Sequence, residues 1–153
     1  MTPGRRSGGA ADPAVSAGPA SRRRSVSVPG LHHGPTPIPL ASRVGPLLIS
    51  SGVLGQDPAT GEVPDGVEEQ VALVFANVRR ILAAGGADVG DVAKLTFFVR
   101  DRSARAAIDE QWLAMFPDPD SRPARHTLPT DLPPAFHVQC EVIAMVDDQK
   151  ERS

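Results

Sequence analysis

The run DGVEEQVALVFANVRRILAAGGADVGDVAKLTFFV, residues 65–99, decides the fold. Val67, Val71, Val74, Val78 and Ile81 recur at helical spacing and make one apolar stripe. Asp65 and Glu68 are spaced as a capping box. Glu68 and Glu69 fall in the first turn and Arg79 and Arg80 in the last, as the helix dipole prefers. Gly85-Gly86 supplies the stop. The spacing predicts a helix over 65–84. From Val92 the period shortens to two. Ala93, Leu95, Phe97 and Val99 share one face, and Lys94, Thr96 and Phe98 the other, which predicts a strand.

Upstream of this unit, 38–42 and 46–51 read as two short strands with Gly45-Pro46 as the hairpin between them. Asp57-Pro58-Ala59-Thr60-Gly61 is a turn: Pro presets φ, Asp caps and Gly accepts positive φ. Downstream, Ser103 is placed to cap a second helix running to Phe116, with Ala104, Ala107, Ile108, Trp112 and Met115 inward. A Pro-rich loop over 117–123 ends it, and strands follow at 124–129 and 136–146. The order is β-β-α-β-α-β-β: an α+β fold with two helices on one face of a mixed sheet. The last strand is apolar on one face (Phe136, Val138, Cys140, Val142) and mixed on the other (His137, Gln139, Glu141, Ile143). Two busy faces suggest packing against other subunits.

Residues 1–29 are rich in Ala, Gly, Pro, Ser and Arg without an apolar period, so they are expected to form a disordered tail ahead of one domain over 30–147. Residues 148–153 read as a short polar tail. At 153 residues the chain can bury about two-thirds of its unfolded surface. A net charge of −2 gives no reason to expect nucleic acid as a partner. The single cysteine, Cys140, excludes an internal disulfide and any cysteine metal cluster. No apolar run is long enough for a membrane span, and no secretory leader is evident, so a cytoplasmic protein is expected.

The motifs Ile49-Ser50-Ser51-Gly52, Asp57-Pro58-Ala59-Thr60-Gly61-Glu62, Glu69-Gln70, Asn77-Val78, Asp91 through Val99, Arg122-Pro123-Ala124-Arg125 and Glu141-Val142-Ile143-Ala144 together resemble the RidA/YjgF family. Their order and spacing match over about residues 37–146. The resemblance implies a chorismate-mutase-like fold, a homotrimer with clefts at the subunit interfaces, and a small carboxylate substrate. It also implies hydrolysis of reactive enamines and imines to 2-keto acids and ammonia, with no metal or organic cofactor.

The same resemblance assigns candidate residues. Arg125 matches the family arginine that holds the substrate carboxylate, a task suited to a permanently charged guanidinium fork. Ser51 lines the cleft; Asp109 and Trp112 fall at the family's polar and aromatic positions on the second helix. Three positions depart from the family pattern. Ile38 lies in the stretch where a tyrosine is expected, and the chain has no Tyr. Val53 replaces a Gln. Gln139, or Glu141 after a slip in the Pro133-Pro134 loop, fills the place of a glutamate that orients water. Gln can hold a water but cannot take its proton. Glu141 could act as base if burial raised its pKa. His137, predicted on the same face, could shuttle protons. His126 is predicted on the face opposite Arg125, and His32 and His33 read as solvated. Cys140 reads as a small buried hydrophobe.

Three functions compete on these residues. The first is a deaminase of 2-imino and 2-enamino acids. The second is a diverged biosynthetic or catabolic enzyme using the cleft for a larger, less polar imine, enamine or carbonyl compound. The third is a non-catalytic trimer that binds small carboxylates or another protein.

Overall fold

The computed structural model describes residues 21–147. Seven strands form one sheet: β1 (Arg23–Val26), β2 (Ala41–Val44), β3 (Leu47–Ser50), β4 (Val53–Leu54), β5 (Val92–Val99), β6 (Ala124–Pro129) and β7 (Val138–Met145). Helix α1 (Val67–Ala84) precedes β5, and α2 (Arg105–Met115) lies between β5 and β6. The spatial order is β1-β2-β3-β7-β5-β6, with β4 also paired to β7. Only β5 and β6 run parallel, because α2 crosses between them. The fold is α+β with a mixed sheet and two helices, as the sequence predicts.

The apolar stripe of α1 packs as expected: Val71, Val74, Val78 and Ile81 are buried against the sheet. Leu95, Phe97 and Val99 meet it from β5, and Val138, Cys140, Val142 and Ala144 from β7. Phe75 stacks on Phe97 at 5.4 Å between ring centroids. The α1 stop is a Schellman motif. Gly86 takes φ of 84°, while the amides of Gly86 and Ala87 donate to Ala83 and Leu82 carbonyls. Buried Arg43 also donates to the Gly85 carbonyl at 2.7 Å, tying β2 to that helix end.

Several local expectations are corrected. Residues 23–26 are strand β1, not tail, and Val26 joins the core. Four residues with one buried side chain carry no readable period; pairing with β2 holds them. Residues 1–20 and 148–153 lie outside the described residues. Strand β2 begins at Ala41 instead of Ile38, since Pro37 and Pro39 have no N–H for a ladder. The capping box at Asp65 does not form: Gly66 is the N-cap, without a side-chain bond. Arg79 and Arg80 lie a turn short of the helix end, and the last turn holds no base. Asp101, not Ser103, caps the turn before α2, accepting from the Ser103 amide at 2.8 Å. Ala93 is exposed at a bulge in the β5–β7 ladder and leaves the inner face.

Candidate active site

The ladder registers put the predicted residues on two opposite faces of the sheet. Arg125 pairs with Leu95, so both side chains face the helices. Gln139 pairs with Phe98 and with Leu54, and Glu141 with Thr96; these point to the outer face. His126 pairs with Thr96 and is outward too, opposite Arg125 as predicted.

On the helix side, Arg125 is held at the sheet edge. Its Nη2 donates to Asp109 Oδ1 of α2 at 2.6 Å. Its guanidinium carbon lies 5.1 Å from the Trp112 ring centroid and 6.0 Å from that of Phe97. Trp112 is itself buried against Phe116, so it is a rigid platform. Position 125 therefore presents a fixed cation at the molecular surface, with 24% of its side chain exposed. Here the sequence expectation brings three of its residues, Arg125, Asp109 and Trp112, into one place.

On the outer side a groove of about 500 Å³ is lined by Ile38, Gly52, Leu54, Phe136 and Gln139, with His32, His33 and Gln56 at one wall. Gln139 Oε1 would sit 3.2 Å from a methyl added at Gly52, so the backbone after β3 abuts this side chain closely. Two buried side chains fix the groove's frame. Gln70 donates to the Pro64 and Ala135 carbonyls at 2.7 and 2.8 Å and accepts from the His137 amide at 2.8 Å. Asn77 donates to the Leu54 and Gln56 carbonyls, each at 2.8 Å. These account physically for the Glu69-Gln70 and Asn77-Val78 motifs. Arg100 adds bonds to the Pro133 and Phe136 carbonyls, both at 2.7 Å, and so holds the loop before β7.

Three predicted site residues take other places. Val53 is buried beside Cys140 on the inner face, and its neighbour Leu54 is the one at the groove. Ser51 donates to the Pro39 carbonyl at 2.7 Å, which joins the loop before β2 to the end of β3. His137 precedes β7 and does not share the outward row: its Nε2 lies 2.9 Å from the Asp65 carbonyl. A carbonyl only accepts, so that nitrogen carries the proton. Phe136, predicted inward, lines the groove because the strand begins two residues after it.

The residue that sequence reasoning missed is His33. It is not solvated. Gly30, at φ of 85°, passes so close to Pro58 that a Cβ would lie 2.1 Å from its carbonyl oxygen. That contact seats the loop carrying His33 beside Gln56. His33 Nε2 and Gln56 Oε1 are both buried without a hydrogen-bond partner, and both residues border a cavity of about 10 Å³. Such a space suits one water molecule bridging a donor and an acceptor. Burial, with the neighbouring His32, lowers the His33 pKa and favours the neutral ring. Burial and Glu141 push the Cys140 thiol well above its usual range, so it is not a poised nucleophile. Among the described residues no group of three His, Cys, Asp or Glu side chains could hold a metal, and no helix is long and apolar enough to cross a membrane.

The family model described as Endoribonuclease L-PSP matches residues 39–146, which spans both faces of this site. The chain belongs to the RidA/YjgF family. It is 35% identical over 104 residues to the 2-iminobutanoate/2-iminopropanoate deaminase of Escherichia coli, covering 67% of this chain and 81% of that one. Among solved structures, RidA from the Antarctic bacterium Psychrobacter matches with a TM-score of 0.73 at 29% identity, over 80% of this chain and 99% of the other. The YjgF gene product of Escherichia coli matches with a TM-score of 0.72 at 30% identity, over 80% and 98%. Strand β1 lies before the segment that the family model matches and forms one edge of the sheet.

Proposed function

We propose that this protein is a deaminase of the 2-iminobutanoate/2-iminopropanoate type, hydrolysing reactive 2-imino acids in clefts between the subunits of a homotrimer. The carrying observation is Arg125, a cation clamped against Trp112 at the sheet edge and open to solvent. It is suited to hold a substrate carboxylate. Kinship with a protein named for this activity supports the reading.

The opposite placement of Arg125 and Gln139 argues for the cleft. No substrate the size of an imino acid can touch both through one sheet. One subunit supplies the arginine edge, and its neighbour supplies the outward groove. In that cleft Arg125 fixes the carboxylate and Gln139 holds a water beside the imine carbon. An imine is already electrophilic when protonated, so proximity and orientation carry much of the rate. Water adds to C2, the imine nitrogen leaves as ammonia, and a 2-keto acid remains. Glu141, half-buried in the same outward row, is the carboxylate nearest in register to Gln139 and the candidate base.

A second reading is favoured by one observation. Ile38, Leu54 and Phe136 make the groove apolar, with Ile38 in the stretch where the family resemblance expects a tyrosine. The protein would then act on a larger, less polar imine, enamine or carbonyl compound in a specialised biosynthetic or catabolic route. Both readings are tested by generating 2-iminopropanoate with an amino-acid oxidase in the presence of semicarbazide. The deaminase reading expects the protein to suppress semicarbazone formation. No suppression by a folded protein sinks it for this substrate and leaves the second.

A further inference from the structure

Arg125 already has a carboxylate. Asp109 Oδ1 sits 2.6 Å from its Nη2, and among the described residues no other side chain or carbonyl is bonded to this guanidinium. The pair is unequal in mobility. Arg125 is held by Trp112 and Phe97, whereas 58% of the Asp109 side chain is exposed midway along α2. Asp109 can therefore swing into water at little cost, while the cation stays in place.

We propose that Asp109 is a resident competitor, an internal carboxylate that occupies the Arg125 fork in the empty site and that a substrate carboxylate must displace or share. This rests on the reading of Arg125 as the carboxylate-holding residue. Asp109 is then a specificity-determining residue. It weakens binding of every monocarboxylate by one competing charge, and it weakens dicarboxylates more, because their second charge meets Asp109 as well. The ranking among monocarboxylates is unchanged, and the discrimination falls between substrates with one carboxylate and those with two.

The size of the effect follows from what an exposed ion pair is worth. Such pairs contribute a modest amount, which corresponds to roughly a two- to fivefold change in an equilibrium constant. Asp109→Asn keeps an oxygen that can accept from Nη2 but removes the charge. Asp109→Ala removes both. The competitor reading expects both variants to bind more tightly, whereas a residue that merely orients Arg125 would be needed at full strength.

The test measures pyruvate binding by calorimetry, and KM and kcat for 2-iminopropanoate in the semicarbazide assay, for wild type and both variants. The expected result is a two- to fivefold lower Kd for pyruvate and a lower KM in both variants, with kcat changing less than KM. Unchanged Kd and KM in both variants overturns the inference. So does weaker pyruvate binding by Asp109→Ala, which would make Asp109 an orienting residue. If no form of the protein binds pyruvate, the competitor fails too, while the wild-type semicarbazone result reports separately on the deaminase reading. Both variants change an exposed side chain, and far-ultraviolet circular dichroism checks that they fold.

Discussion

At the scale of single residues, Arg125 and His33 make the sharpest predictions. Arg125→Ala is expected to abolish suppression of the semicarbazone. Arg125→Lys is expected to lose at least tenfold in kcat/KM, because an ammonium lacks the planar fork and stacks less well on Trp112. Steady-state kinetics on the two variants checks this. His33 gives a prediction in pH. Burial lowers its folded pKa below the unfolded value of 6.5. Above about pH 6.5 the ring is neutral in both states, so folding carries no penalty. As pH falls below that, the unfolded chain takes up a proton that the folded one does not, and stability is lost down to the folded pKa. His33→Gln should therefore lose less stability than wild type between pH 7.5 and 5.5, measured by urea denaturation at each pH. An equal loss in both would mean that the ring is solvated after all.

At the scale of elements, the strongly periodic pieces were legible and the ends were not. The Val71–Ile81 stripe and the Leu95–Val99 alternation each bury three or more side chains on one face, so the hydrophobic pattern alone selects helix and strand. Helix starts are decided by single hydrogen bonds. Asp65 has the right spacing to cap α1, yet the helix starts one residue later with Gly66 as N-cap, and the Asp65 carbonyl meets His137, a residue 72 positions away that no local rule could supply. Strand β1 was invisible for the same reason: its order comes from pairing with β2, not from its own composition. The candidate site was half legible. Arg125, Asp109 and Trp112 converge as the motif suggested. Val53 and His33 exchanged roles because one-residue shifts in β4 and a glycine contact at Pro58 set which side chain faces the groove. Gln70 shows what frames that groove. Removing its side chain leaves two carbonyls and one amide without partners, so Gln70→Ala should cost about 2–4 kcal/mol in urea unfolding at unchanged secondary structure. A cost under about 0.5 kcal/mol would show that the brace is redundant.

At the scale of the whole molecule, the outer face of the sheet carries exposed apolar side chains. Ile49, Leu128 and Met145 are large, apolar and exposed, and the registers place all three on that face with Ile143 and Phe98. An apolar sheet face of this kind is unusual in a monomer and suits a subunit interface. Met145→Asp, a charge put on a side chain that is 55% exposed in the lone protomer, should leave the fold intact and break the proposed trimer into monomers in sedimentation equilibrium. It should also remove activity, if the clefts are made between subunits. A trimer that survives this substitution would move the interface elsewhere.

The central claim is that the arginine edge of one subunit and the groove of another make one site. It is tested most directly by co-expressing two inactive variants, Arg125→Ala and Gln139→Trp, the second filling the groove. Neither should suppress the semicarbazone alone. In mixed trimers a site with both intact halves forms wherever the two undamaged halves meet across an interface, so activity should return to about a quarter of wild type. Mixed trimers that stay as inactive as either parent would contradict the account, because halves belonging to one and the same subunit can never be restored by mixing.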